Sequence, residues 1–555
     1  MTTTNPIPST IAEPILSQAR IDEMVASGFW KDTTILDYFD RNVAEHPNKV
    51  AVVDYNTDAG TSTTLSNRQL QGIVDQIALG FADIGIKKGD VIAIQLPNWW
   101  QFMAITLAAA RVGACINPLM PIFRHRELEF MLSFTDAKVF ICPKEFHGFD
   151  YPAMLEELRP KLPTLKEVFS IGGETNPGSF EERLLGRHRK DKMDSNTTFD
   201  DNKLGANDVF ELLYTSGTTG TPKCVMQTSA ILIAGAEGFA DRYSMTPEDS
   251  VFMGSPLAHQ TGFLAGLLLP IYMGSKAVFL DIWNAEKAIE IIVDENVTFT
   301  IGSTPFLSDM CYSPAAQKYD ISCLKTFVSA GSPIPRTMAQ QARENLQCGV
   351  YSAYGMTEIL AVTMVGPEDS EEKTFATDGS DQKGAEVRVV KPDGEVASVD
   401  EEGELQARGA FNFVGYMKKP EAYDTDDDGW FNTGDLARKD EDGFIRITGR
   451  SKDIIIRGGE NVPVVEVENL IIAHPAVLDA ALVGKPDDRL GERGYLFVTL
   501  RPGASLTFDE VIDYFKEKQM AKQYWPEFFE VLEEFPRNMS GKIQKFRLRD
   551  QVTGS

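Results

Sequence analysis

At 555 residues the chain is too long for one hydrophobic core, so two or more domains are expected. Its composition, 43% hydrophobic and 24% charged, is that of an ordinary globular protein, and its longest apolar run, Phe263 to Met273, falls short of the ~20 residues a membrane-spanning helix needs. A formal net charge of −27 argues against nucleic acid or an anionic membrane as partner, because both demand clustered Lys and Arg, and any anionic ligand must be drawn in by local positive charge.

Met1 leads into Thr- and Pro-rich sequence without a charged-then-apolar leader, and the six cysteines, from Cys115 to Cys348, include no C-x-x-C pair. These features read as reduced thiols in a soluble, cytoplasmic protein without a cysteine metal site. Leu70, Ile73, Val74, Ile77 and Phe81 recur at helical spacing behind a cap at Ser66, and Gly85 ends the run. A strand over 91–96 and a helix over 99–112 follow, then strands near 137–141, 277–280 and 326–329 alternating with helices at 285–296 and 336–345. Strand–helix alternation implies an α/β fold with parallel sheets covered by helices on both faces. The only dense basic run, 183–192, reads as a solvated loop. After about residue 380 short strands at 386–390, 403–408 and 443–448, separated by Gly-Asp turns, indicate an antiparallel or β-barrel-like piece, and the acidic run 424–428 reads as a solvated turn. A break at Gly449-Arg450-Ser451-Lys452-Asp453 precedes a stretch with its own strand–helix pattern. The expected division is a large N-terminal domain over 1–449 and a small α+β domain over 450–555, with a hinge near Lys452.

The chemistry concentrates in a few strings. Tyr214-Thr215-Ser216-Gly217-Thr218-Thr219-Gly220-Thr221-Pro222-Lys223 follows the apolar run 209–214, which reads as a buried strand. Hydroxyls and converging backbone N–H groups on a glycine loop bind phosphate oxygens, and Lys223 adds a point charge for the terminal phosphates. The spacing is not that of a Walker A loop. In Ser352-Ala353-Tyr354-Gly355-Met356-Thr357-Glu358 an aromatic face suits adenine, a hydroxyl suits phosphate and a carboxylate suits Mg²⁺.

Taken together these strings resemble the signatures of the adenylate-forming superfamily, which comprises acyl- and aryl-CoA synthetases, peptide-synthetase adenylation domains and beetle luciferases. The resemblance runs from about residue 30 to 550. It implies ATP, Mg²⁺ and coenzyme A as ligands, with Thr215 to Gly220 and Lys223 on the phosphates, Gly331-Ser332-Pro333 on the adenine side, Tyr354 stacked on the base and Glu358 holding the metal. Asp435, in Thr433-Gly434-Asp435, resembles the acceptor of both ribose hydroxyls, and Arg450 the arginine beside it. Lys452 takes the hinge position. Lys542, in Pro536-Arg537-Asn538-Met539-Ser540-Gly541-Lys542, matches the lysine of the adenylation step, although Asn538-Met539 departs from the usual pairing there. Arg457-Gly458-Gly459 resembles the segment that lines the pantetheine tunnel after domain rotation. The resemblance thus names Lys542, Thr357, Glu358 and His259 as catalytic.

In Pro256-Leu257-Ala258-His259-Gln260 no carboxylate stands where amino-acid-activating relatives hold an α-ammonium, and His259 matches the aromatic gate of the carboxylate site. Gly262, Phe263, Gly302, Ser303, Thr304, Gly331, Met356 and Ala361 are expected to line the acid pocket. They imply an uncharged alkyl, alicyclic or aromatic acid, and segments such as Leu96-Pro97-Asn98-Trp99-Trp100 resemble short- and medium-chain or cyclohexanecarboxylate-type CoA ligases. The expected function is an acid–CoA ligase; the alternative is a stand-alone enzyme that loads a carrier-protein phosphopantetheine. The expected partners are the acid, ATP and CoA, together with a second copy of the chain and a lysine acetyltransferase acting at Lys542.

Overall fold

A computed structural model describes residues 14–553 except 173–178, 187–198, 200–201, 216–221, 332–333, 335, 451–452, 458–459, 488 and 538–540. Two large sheets carry the N-terminal part. The first has nine strands, and its centre is parallel: Gly349–Met356, Thr326–Ala330, Phe299–Gly302, Ser250–Met253, Lys276–Leu280 and Val50–Asn56 lie side by side. The second has six, running from Lys223–Thr228 through Val209–Thr215, Cys115–Pro118, Val91–Ile94 and Val139–Pro143 to Glu167–Ile171. The expected parallel sheets hold in both interiors and at the Glu167–Ile171 edge of the second, but both margins of the first sheet and the other margin of the second are antiparallel. Leu360–Met364 pairs antiparallel with Gly349–Met356, Thr61–Ser66 with Val50–Asn56, and Lys223–Thr228 with Val209–Thr215. Each of these connections is too short for a parallel crossover, which needs a dozen or more residues.

Local sequence sets the elements. Helix Asn67–Asp83 starts at a reciprocal cap, in which Gln69 N donates to Ser66 Oγ at 3.3 Å and Ser66 N to Gln69 Oε1 at 2.9 Å. Such a cap contributes about 0.5–2 kcal/mol. The face bearing Leu70, Val74, Ile77 and Phe81 is fully buried. Helix Trp100–Arg111 is apolar all round, and its interior is buried, as a helix packed between sheets must be. The run that approaches membrane-span hydropathy, Phe263 to Met273, is a π-helix over Gly262–Leu268 continued by an α-helix over Leu269–Met273, and it lies wholly in the core. No helix among the described residues is long and apolar enough to cross a membrane.

Past residue 380 the chain makes a four-stranded antiparallel sheet, Ala385–Val390, Gly403–Gly409, Phe431–Lys439 and Ile445–Arg450, the first of the two forms expected there. From Ile455 onward a smaller sheet of five strands packs helices Val464–Ile472 and Phe508–Glu517 around a core of its own, Val467, Ile471, Leu496, Val498, Val511 and Phe515. That core draws its residues only from this stretch of chain. The small unit meets the large one at defined places. Arg501 stacks over the Tyr312 ring at 4.9 Å, and a Cβ on Gly541 would lie 3.1 Å from Ser303 Oγ and 3.2 Å from Pro305 Cγ.

Candidate active site

The strand Val209–Thr215 is a buried run, as its apolar sequence requires, and it turns back into Lys223–Thr228 with Thr215 opposite Lys223. The Lys223 ammonium sits over the Tyr416 ring, 4.4 Å from its centroid. Tyr416 in turn donates its hydroxyl to Glu358 Oε1 at 2.8 Å. Glu358 is only 4% exposed, and its other oxygen, Oε2, has no hydrogen-bond partner among the described residues. Burial raises the pKa of this carboxyl, while the Tyr416 hydroxyl and the charges of Lys223 and Arg450 pull it back. A buried carboxylate oxygen without a partner is costly unless a cation or donor completes it.

On the opposite wall the strand pair that follows the antiparallel turn places Asp435 and Arg450 directly across from each other. Arg450 Nε bonds Asp435 Oδ1 at 2.9 Å, and the Tyr354 hydroxyl donates to Asp435 Oδ2 at 2.6 Å. Tyr354 arrives from the central sheet on Gly349–Met356, so two sheets converge on one carboxylate. Burial first, and then Asp435, holds the Tyr354 hydroxyl protonated. The turn beyond Tyr354 is tied from behind, since Gln227 Nε2 donates to the Thr357 carbonyl at 2.8 Å.

His259 and Lys542 close the space between these walls. His259 Nδ1 accepts from Thr261 N at 3.3 Å, which leaves the ring proton to Nε2. Its pKa is pushed down to about 4, by burial first and by the Lys542 ammonium second, so the imidazole is neutral at pH 7. Lys542 comes from the small C-terminal unit and reaches Gly331: a Cβ there would lie 3.1 Å from Lys542 Cε. Gly331 also holds φ at 84°, a conformation that favours glycine. Burial and the neighbouring Arg450 lower the Lys542 pKa to about 8, against the opposing pull of Asp435 and Glu358.

Thr215, Lys223, His259, Gly331, Tyr354, Thr357, Glu358, Asp435, Arg450 and Lys542 all border one cleft of about 840 Å³. That lies toward the upper end of the roughly 300–1,000 Å³ of ligand pockets, with room for a nucleotide and a second small molecule. Ser216, Gly217, Thr218, Thr219, Gly220, Ser332, Pro333, Lys452, Gly458 and Gly459 lie outside the described residues. No group of three or more His, Cys, Asp or Glu forms a metal cluster among the described residues.

The residues expected to line the acid pocket are only partly at the cleft. Gly331, Met356 and Ala361 border the cleft, whereas Gly262, Phe263, Gly302, Ser303 and Thr304 do not. Phe263 is fully buried against Phe210, Gly262 is packed so close to the Pro256 carbonyl that a Cβ would sit 2.1 Å from it, and Ser303 faces Gly541. The cleft's apolar lining includes Phe239, Leu264, Ala265, Ile301, Ala353 and Leu360, which read in sequence as ordinary core positions. Asp424, at the start of the acidic run, is exposed and also borders the cleft. Tyr416 was missed because a lone tyrosine carries no motif.

Comparison with known proteins places this geometry. The family model described as AMP-binding enzyme matches residues 39–417, and that described as AMP-binding enzyme C-terminal domain matches 466–542. The chain is 35% identical to the medium-chain fatty-acid–CoA ligase of Escherichia coli (strain K12), with 95% of this chain and 91% of that one covered. It is 31% identical to the mitochondrial medium-chain acyl-CoA ligase ACSF2 of Homo sapiens, over 91% of this chain and 85% of that one. Among solved structures, ATP-bound MatB from Rhodopseudomonas palustris superposes with a TM-score of 0.83 at 26% identity, covering 94% of this chain and 99% of that one.

Proposed function

This chain belongs to the AMP-binding enzyme family and is an ATP-dependent acid–CoA ligase; within that class we propose that it activates an uncharged alkyl, alicyclic or aromatic acid of small to medium size. One observation carries the proposal: the cleft's polar groups gather around Asp435, Glu358 and Lys542, while Phe239, Leu264, Ile301 and Leu360 supply a wall without a charge. An ammonium, hydroxyl-rich or dicarboxylate substrate would leave its polar group unpaired against that wall. The names of the Escherichia coli and human relatives as medium-chain ligases support the same reading.

In the first half-reaction the acid's carboxylate oxygen attacks the α-phosphorus of ATP, forming a mixed anhydride with AMP and releasing pyrophosphate. In the second, the CoA thiol loses its proton and attacks the acyl carbon, and AMP leaves. Thr215, the loop 216–220 and Lys223 hold the polyphosphate; Gly331, Ser332, Pro333 and Tyr354 take the adenine; Asp435 accepts both ribose hydroxyls, steered by Arg450. Thr357 offers its hydroxyl to a phosphate oxygen. The Lys542 ammonium meets carboxylate and α-phosphate where negative charge is redistributed, an electrostatic contribution that works best in a dry site. The neutral His259 screens the carboxylate end from water.

Mg²⁺ suits Glu358, because the residue borders the cleft and its Oε2, a hard oxygen, has no hydrogen-bond partner among the described residues. When bound, the cation would offset phosphate charge. A hinge near Lys452, between units 1–449 and 450–555, would then withdraw Lys542 and bring Gly458 and Gly459 to the pantetheine arm. Neutralising Lys542 by an acetyltransferase would silence the first step, and a second copy of the chain is a further partner to test.

The test is pyrophosphate release with Mg·ATP across short, medium-chain, alicyclic and aromatic acids, with amino and dicarboxylic acids as the charged comparison, each with and without CoA. Sustained CoA-dependent turnover on one uncharged class is expected; turnover confined to charged acids would overturn the substrate proposal. An Asp435→Asn variant should raise the KM for ATP about tenfold or more, since a hydrogen bond to a charged group is worth about 1.5–3 kcal/mol. An unchanged KM for ATP would mean that the ribose rests elsewhere.

A further inference from the structure

Helix Ser229–Arg242 carries two interior glycines, Gly235 and Gly238. Glycine is a poorer helix former than alanine, so packing must favour them. At Gly238 the reason is Gln382, whose Oε1 would lie 2.4 Å from an added Cβ. At the buried Gly235 the reason concerns the cleft. A Cβ there would fall 2.6 Å from Leu360 Cδ1 and 3.3 Å from Leu264 Cδ2. Both leucines border the cleft, as does Phe239 one turn further along the same helix.

Leu360 cannot yield by moving its backbone. It holds φ at 51°, in the left-handed region that leucine rarely enters. The tight connection between Gly349–Met356 and Leu360–Met364 imposes that conformation, and its carbonyl lies so close to Gly355 that a Cβ on that glycine would sit 1.7 Å away. The side chain is what can move, and it already borders the cavity.

We propose that Gly235 is a specificity-determining residue: by leaving room behind the wall, it lets Leu360 lie back from the cavity and so sets how much acyl chain the pocket accepts. The inference rests on the cleft binding an uncharged acyl chain. A methyl group at 235 tilts Leu360 inward and shortens the acid that fits, without touching the groups around Asp435, Glu358 or Lys542.

The experiment compares kcat/KM for straight-chain acids from butanoate to dodecanoate in the wild type, Gly235→Ala and Gly235→Ala/Leu360→Ala. Gly235→Ala should depress the longest acids by about 10–200-fold relative to butanoate, the discrimination a methylene-sized change gives in an apolar pocket, with butanoate turnover held within about threefold. The double variant should recover the long acids. An equal loss on every acid, or an unmoved length profile, overturns the inference. Should Gly235→Ala fail to fold, Leu360→Ala alone must shift preference toward longer acids, and an unshifted profile again overturns it. If the wild type itself activates no uncharged acid, the substrate reading falls and takes this inference with it; if the wild type acts and only the profile stands still, the inference falls alone.

Discussion

Replacing Lys542 with alanine should lower the rate of acyl-adenylate formation by about 10²–10³, the effect of removing one preorganised electrostatic contact. Thioester formation from synthetic acyl-adenylate and CoA should remain within a small factor of the wild type. The split follows from position: Lys542 reaches Gly331 from the small C-terminal unit and shares the cleft with Asp435 and Glu358, where the nucleotide and the carboxylate would meet. Pre-steady-state pyrophosphate release measures the first step, and chasing acyl-adenylate with CoA measures the second. Equal damage to both steps would sink the assignment.

A pH profile sharpens the prediction. With its pKa lowered to about 8 by burial and Arg450, Lys542 is protonated below that pH and loses its charge as pH rises through it. The kcat/KM for adenylation should therefore decline above about pH 8. The limb in kcat should lie at higher pH, because bound phosphates favour the ammonium. His259, with its pKa pushed down to about 4, stays neutral throughout that range and contributes no competing limb. In Lys542→Ala the alkaline limb should vanish.

Glu358→Gln should have the second large effect, again about 10²–10³ on adenylation, with a raised requirement for Mg²⁺. Glutamine keeps an acceptor for the Tyr416 hydroxyl, now 2.8 Å from Oε1, but removes the charge and offers an amide where Oε2 stands without a partner. The signature to look for is metal dependence: titrating Mg²⁺ at fixed ATP should show the variant saturating at higher concentration. A variant with the wild-type metal response would mean that Glu358 serves the fold through Tyr416 and not the cation.

Local pattern alone determined much of this protein. The capped helix Asn67–Asp83, the buried strand Val209–Thr215 and the change of character after residue 380 follow from nearest-neighbour spacing, because periodicity and capping act within one element. The strings around Lys223, Tyr354, Asp435 and Lys542 were legible for a related reason: each carries its chemistry on a glycine turn with a fixed order of residues. What those strings could not convey is distance. Only the tertiary structure decided that Asp435 would bridge Tyr354 and Arg450 from two different sheets, that Tyr416 would link Lys223 to Glu358, and that Gly541 would pack on Ser303 and so carry Lys542 to Gly331. The apolar lining of the cleft was the least legible part. Phe239, Leu264, Ile301 and Leu360 are apolar residues on two helices and two strands, and an apolar residue facing a cavity has the same spacing as one facing the core. Which of the two it faces depends on whether a neighbouring element fills the space opposite.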